Sequence, residues 1–231
     1  MKELADSDFH HLGDLASDLV RHFSSENSDG ESVLDCGLLF LGALCRGLGK
    51  SAVEPSSRKG RLLYPGHEAA GALMVKDLSQ RLELSLELSG KLQKLVGLQK
   101  LGILNVNHRE FYLSCFRFFQ KASNLTPELL LLSLAEISTN PGEKSEVLEE
   151  KTLLIREMLL EYFERGFLFA PTCPVGLMDL QMELGVTAPS FRRQIFRRLE
   201  EGYVAMEFSG REDGLERAAE LLEMPVELWS L

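Results

Sequence analysis

The sequence predicts a predominantly helical α+β chain, with an N-terminal region of helices and mixed α/β character followed by a C-terminal domain built on two helices and a tight glycine turn. Three observations carry that expectation. Apolar residues recur at helical spacing through much of the 231 residues, strict apolar/polar alternation is confined to short runs, and turn formers gather from Ser138 to Ser145 between the two halves. The resulting division is a region at 1–137, a linker at 138–148 and a domain at 149–231.

A hydrophobic fraction of 45% with 26% charged residues is that of an ordinary globular protein able to bury a core. The net charge of -10 excludes indiscriminate coating of nucleic acid, because non-specific affinity comes from Lys and Arg neutralising phosphates. Any nucleic-acid contact has to be local. Cys36, Cys45, Cys115 and Cys173 form no C-x-x-C pair and are spaced neither as a zinc site nor as a disulfide framework, so they read as thiols of a reducing compartment. Residues Met1 to Asp8 lack the basic and apolar regions of a signal peptide. The most apolar stretch, Val33 to Leu48, contains Asp35 and Arg46 and falls short of the roughly 20 residues a bilayer requires. The expectation is a cytoplasmic chain with no membrane partner.

Taken in order, Asp8 to Phe23 has helical periodicity through Leu12, Leu15, Leu19 and Phe23, and the polar run Ser24 to Ser32 breaks it. Val33 to Leu48 is an apolar helix whose Gly37, Gly42 and Gly47 permit close packing at some cost in helix propensity. Ser51 to Pro65 reads as a loop and Glu68 to Gln80 as a helix. Leu82 to Leu88 alternates apolar with polar, as a half-buried strand does, although leucine also favours helix; both readings stay open. Ile103 to Val106 is expected as a strand, Arg109 to Ala122 as an aromatic-rich helix, and Leu129 to Ile137 as strand or helix. Glu146 to Arg165 is strongly helical.

The functional pattern begins at Leu177. A short helix to Leu184 places Leu177, Leu180 and Leu184 inward, and Gly185 sits where a left-handed residue lets the chain bend. Thr187 as cap and Pro189 in the first turn start a new helix, whose Phe191, Ile195 and Leu199 recur every four positions, with Val186 in the corner. That order is a helix-turn-helix. From Thr187 to Leu199 the helix carries Arg192, Arg193, Arg197 and Arg198 and no acid. Such a helix enters the major groove, so Arg192 and Arg193 are placed for base edges or nearby phosphates, since guanidinium pairs bidentately with guanine. Thr187, Ser190 and Gln194 add polar contacts. Arg197 and Arg198 read as phosphate clamps or as partners of Glu200 and Glu201. Tyr203 to Phe208 is a candidate strand of a wing, and Leu215 to Met224 an acidic amphipathic helix.

Leu159-Leu-Glu-Tyr-Phe-Glu-Arg-Gly-Phe-Leu-Phe-Ala-Pro171, then Gly176-Leu-Met-Asp-Leu-Gln-Met-Glu-Leu-Gly-Val-Thr-Ala-Pro-Ser-Phe191 and the pair Arg197-Arg198, resembles the C-terminal domain of archaeal bacterio-opsin-activator-type transcription regulators. Phe116-Arg-Phe-Phe-Gln-Lys-Ala followed by Leu129 to Ile137 is similar to the helix and strand that end the family's upstream domain. Gln181 stands where that family carries a small residue. The resemblance implies a sequence-specific regulator whose partner is double-stranded DNA, with an upstream region that senses a signal or forms a homodimer; the sequence names no small-molecule effector. The alternative is a protein-interaction scaffold whose C-terminal domain binds a protein instead.

Other chemistry lacks a pattern. Leu44-Cys-Arg-Gly-Leu-Gly-Lys-Ser51 ends like a phosphate loop, but Leu44 occupies the first glycine position and a Pro/Ser loop follows Ser51. His10, His11 and His22 do not combine with Cys or acids at metal-site spacing, and His67 and His108 stand alone. No nucleophile elbow occurs. The expectation is no enzyme, no catalytic residue, no metal and no cofactor.

Overall fold

The computed structural model describes residues 13, 15–26, 32–34, 36–58, 61–99, 111–139, 145–165 and 171–225. By their contacts the residues divide into two units, one of 1–104 with 121–164 and one of 105–120 with 165–231. One break between the units falls at 164/165, and residues 105–120 group with 165–231. Most described residues are helical, with two small antiparallel hairpins.

In the first unit α1 (Ala16–Phe23) leads into β1 (Ser24–Glu26), which pairs with β2 (Ser32–Leu34) in the register Ser25 to Val33. The polar run that ends α1 therefore begins a hairpin. Next come α2 (Gly37–Cys45), a 3-10 turn at Leu48–Ala52, and a second hairpin of β3 (Ser56–Arg58) and β4 (Arg61–Leu63) inside the expected loop. Two longer helices follow, α3 (His67–Arg81) and α4 (Leu86–Gly97).

The strand reading of Leu82 to Leu88 is overturned. Ser85 caps α4, its Oγ accepting from the Leu88 N–H at 3.2 Å, and this ends the alternation at its midpoint. Leu86 is 94% exposed, so the alternating leucines never formed one buried face. The helix instead buries Leu92, Leu95 and Val96, and a core forms from Cys45, Val75, Leu92 and Val96 with Leu38, Leu41, Leu48, Leu78 and Leu84 around it.

Glycines set the closeness of this packing. A Cβ on Gly42 would lie 2.3 Å from Leu95 Cδ2, and one on Gly49 would lie 2.0 Å from the His67 carbonyl oxygen and 2.4 Å from the Gly71 nitrogen. The Gly-Leu-Gly-Lys-Ser run is thus a 3-10 turn laid on α3, with Lys50 Nζ 5.9 Å from the Tyr64 ring centroid.

α5 (Phe111–Ala122) is aromatic and helical as expected, with Cys115, Phe116 and Phe119 buried. The run Leu129 to Ile137, open between strand and helix, lies in α6 (Thr126–Ser138). Pro127 stands in the first turn, where its missing N–H costs no hydrogen bond. Glu128 on α6 is buried, its Oε1 3.2 Å from His22 Nε2. α7 (Ser145–Leu160) starts inside the expected linker and ends in a π turn at Glu161–Arg165. Ile103 to Val106, His10, His11 and His108 lie outside the described residues.

The second unit holds α8 (Leu177–Met182), α9 (Pro189–Val204) and α10 (Arg211–Glu223). Gly185 has φ +67 in the turn between α8 and α9, and the Val186 N–H returns to the Leu180 carbonyl at 3.0 Å. Val186 is buried in the corner. Val175, Leu180, Val186, Ile195, Leu199, Phe208, Ala218 and Leu221 form one core.

Three expectations need correction here. Tyr203 to Phe208 is not a strand: α9 continues to Val204, and the chain then turns through Met206, at φ +59, to bury Phe208. Filling the core with Phe208 leaves the segment no extended edge, so no wing strand occurs among described residues 171–225. Thr187 does not cap α9, because the N-cap is Ala188, without a side-chain cap hydrogen bond. Leu177 is exposed, since a helix of six residues turns only one side, that of Leu180, to the core.

The glycine packing generates a paired prediction. Gly49→Ala forces a methyl into backbone atoms that cannot yield and should cost at least about 2 kcal/mol of unfolding free energy. Gly47→Ala, which meets nothing within 4 Å, should stay within about 0.5 kcal/mol of the parent in urea unfolding.

Candidate nucleic-acid interface

α9 is positioned from below by its apolar stripe. Ile195 and Leu199 are fully buried and Phe191 half-buried, so the rotation of the helix about its axis is set by packing. At 100° per residue, Ser190, Arg193, Gln194 and Arg197 then share an arc of about 100° on the opposite side. All four are exposed. Thr187 precedes them, exposed in the turn. Arg193 has no ion-pair partner among the described residues, whereas the other arginines of α9 are engaged.

Arg192 and Arg193 do not share a role. Arg192 is half-buried, and its guanidinium donates to Gln181 Oε1 on α8 at the surface. Gln181 therefore has a partner across the turn. Arg197 and Arg198 both meet Glu201: Arg198 Nη1 donates to Oε2 at 2.6 Å, and Arg197 Nε lies 3.9 Å from Oε1.

Arg117 is the participant that sequence reasoning missed. It lies on α5 and donates from Nη2 to Glu201 Oε2 at 2.8 Å. Its only trace in the sequence is a cation between Phe116 and Phe118 on an amphipathic helix, which names no partner.

Burial pushes the Glu201 carboxyl upward, but the hydrogen bond and charge of Arg117, with those of Arg198, outweigh it and hold the group below the ordinary glutamate value. Its neighbour Glu200 goes the other way. Burial raises it, the charge of Glu201 adds to the rise, and Arg197 only partly opposes them. Across the unit, Asp179 is held low by the Gly176 N–H, at 2.7 Å, and by Arg211. Arg211 donates to Asp179 at 2.7 Å and to Glu183 at 3.0 Å, tying the start of α10 to α8.

This arrangement presents hydrogen-bond donors along the exposed side of one helix. Among the described residues no group of three His, Cys, Asp or Glu could hold a metal ion, and no helix is long and apolar enough to cross a membrane.

A carboxyl whose folded value is depressed contributes stability that is present above its unfolded value and lost as pH falls through the folded one. Glu201 should therefore stabilise the chain at neutral pH and lose that contribution progressively as pH falls below 4.5, its ordinary value, through its lower folded value. Glu201→Gln should lower unfolding free energy at neutral pH by on the order of 1 kcal/mol and flatten the acid-side decline, read from urea midpoints across pH. No family model, curated protein or solved structure matches this chain.

Proposed function

We propose that this chain is a sequence-specific DNA-binding transcription regulator in which α9 occupies the major groove and the upstream region senses a signal or dimerises. One observation supports the reading above all: Ser190, Arg193, Gln194 and Arg197 form an exposed, acid-free arc on a helix whose opposite stripe is locked into a core. Arg193 suits the O6 and N7 atoms of guanine, and Gln194 the N6 and N7 atoms of adenine. Thr187 and Ser190, at the start of the helix, supply hydroxyl contacts. Arg192, shared with Gln181, is a lesser contributor than Arg193. A homodimer would carry two such helices to half-sites about one duplex turn apart.

A second reading is favoured by α8. Met178 and Met182, one helical turn apart, are 66% and 74% exposed, and flexible thioethers suit an adaptable protein contact. In that reading the same unit is a scaffold that docks a protein.

Selection of duplexes from a randomised pool separates the two. A consensus should be enriched, and Arg193→Ala should weaken binding to it by at least about tenfold and relax preference at one base position, with the helical circular dichroism unchanged. Parental affinity in that variant would sink the residue assignment, and a pool without any enriched consensus would overturn DNA as the partner.

A further inference from the structure

α2 is apolar on every side. Its core-facing arc holds Leu38, Leu41, Gly42 and Cys45, with Leu48 just beyond the helix. At 100° per residue the opposite arc, about 120° wide, holds Gly37, Phe40, Ala43, Leu44 and the following Gly47. All five are exposed and none is polar. Phe40 is 67% and Leu44 78% exposed. A single leucine or phenylalanine at a surface is ordinary, but a helix that is apolar all round belongs inside a structure, and an outward face without one polar side chain marks a contact.

This face is its own complement. Gly37 and Gly47, and Phe40 and Leu44, lie symmetrically about position 42. When two copies cross antiparallel, Phe40 of each therefore lies opposite Leu44 of the other, and Gly37 opposite Gly47. The large side chains fill the middle, Ala43 leaves them room, and the glycines let the backbones close at both ends; a Cβ on Gly47 would meet nothing within 4 Å. Every residue pairs reciprocally, as a two-fold contact requires. Within residues 35–50 charge stands only at the ends. Asp35 precedes the helix in the sequence, and Arg46, paired with Glu136, and the exposed Lys50 follow it. Antiparallel copies set the acidic end of one beside the basic end of the other and oppose their helix dipoles, whereas a parallel pair sets like beside like. An uncharged face is also where two chains of net charge -10 meet with least repulsion.

We propose that the outward face of α2 is a homodimer interface, covered by the same face of a second copy that crosses it antiparallel at the level of Gly42. The contact gives the upstream region its dimerising role and stands whether or not α9 binds DNA. A face this short lies at the small end of specific interfaces, so the dimer dissociates on dilution.

The test is sedimentation equilibrium of the full chain over a concentration series. The parent should pass from monomer to dimer as concentration rises. Phe40→Glu and Leu44→Lys should each raise the dimer dissociation constant by at least about tenfold. Both positions are exposed, so the helical circular dichroism should not change. Mixed in equal amounts, the two variants should associate with each other, because the antiparallel pairing sets the introduced carboxylate against the introduced ammonium while the remaining Leu44 and Phe40 still meet. Met182→Glu, at the exposed methionine of α8, should leave the dissociation constant unchanged. A parent that stays monomeric throughout, a loss in Met182→Glu equal to that in Phe40→Glu, or failure of the mixed variants to associate would each overturn the interface. A monomeric parent that floats with phosphatidylglycerol vesicles, and ceases to do so in Phe40→Glu, would overturn it in favour of a lipid surface. Duplex selection is a separate readout, so the failure of either inference leaves the other standing.

Discussion

Ile195 and Leu199 sit without solvent exposure in a core shared with Leu180, Val186 and Phe208, and α9 cannot turn about its axis without withdrawing them. Burying side chains of this size is worth roughly 1.5–3 kcal/mol each, whereas a surface ion pair is worth about 0–1 kcal/mol. Packing therefore decides the orientation of the helix, and the arginines accept what remains. Ser190, Arg193, Gln194 and Arg197 face outward because the apolar stripe faces inward. Gly185 belongs to the same constraint: its left-handed φ brings Val186 into the corner, where the backbone bond to Leu180 closes the turn.

The buried charge imposes a second constraint on that frame. Taking a carboxylate out of water costs several kcal/mol unless partners compensate, and Glu201 meets that requirement with guanidinium groups from two helices. One partner comes from its own helix at i-3, a local choice. The other, Arg117, comes from α5, and it lies in the same unit as Glu201.

The first unit follows the same priority of packing over local preference. α2 has no polar side chain, and Gly42 lets it approach Leu95 more closely than any larger residue would permit. Gly49 and Gly71 do the same for the 3-10 turn against α3. A run that reads as a phosphate loop by composition is, in place, a close-packing device. Glu128, facing His22, is one of several polar side chains buried in this unit; burial raises the Tyr162 hydroxyl above its ordinary value, and the charge of Glu128 adds to the rise.

Helix positions in the C-terminal unit were legible in the sequence because 3.6-residue periodicity, a glycine turn and a proline start are local quantities. Phe191, Ile195 and Leu199 announced the buried stripe, and the absence of acid from Thr187 to Leu199 announced the basic face. Local quantities also misled. Alternating leucines at 82–88 resembled a strand because periodicity does not register that Ser85 caps a helix between them. Tyr203 to Phe208 resembled one because nothing local says that Phe208 must return to the core. By itself the sequence determined a helical chain with a turn at Gly185 and a concentration of arginine on one helix. Tertiary structure alone decided that Arg192 turns to Gln181, that Arg193 is left to solvent, and that Arg117 joins Arg198 at Glu201. The physical reason is that a charge chooses its partner by distance in space, and 84 residues of intervening chain leave no periodic trace of that choice.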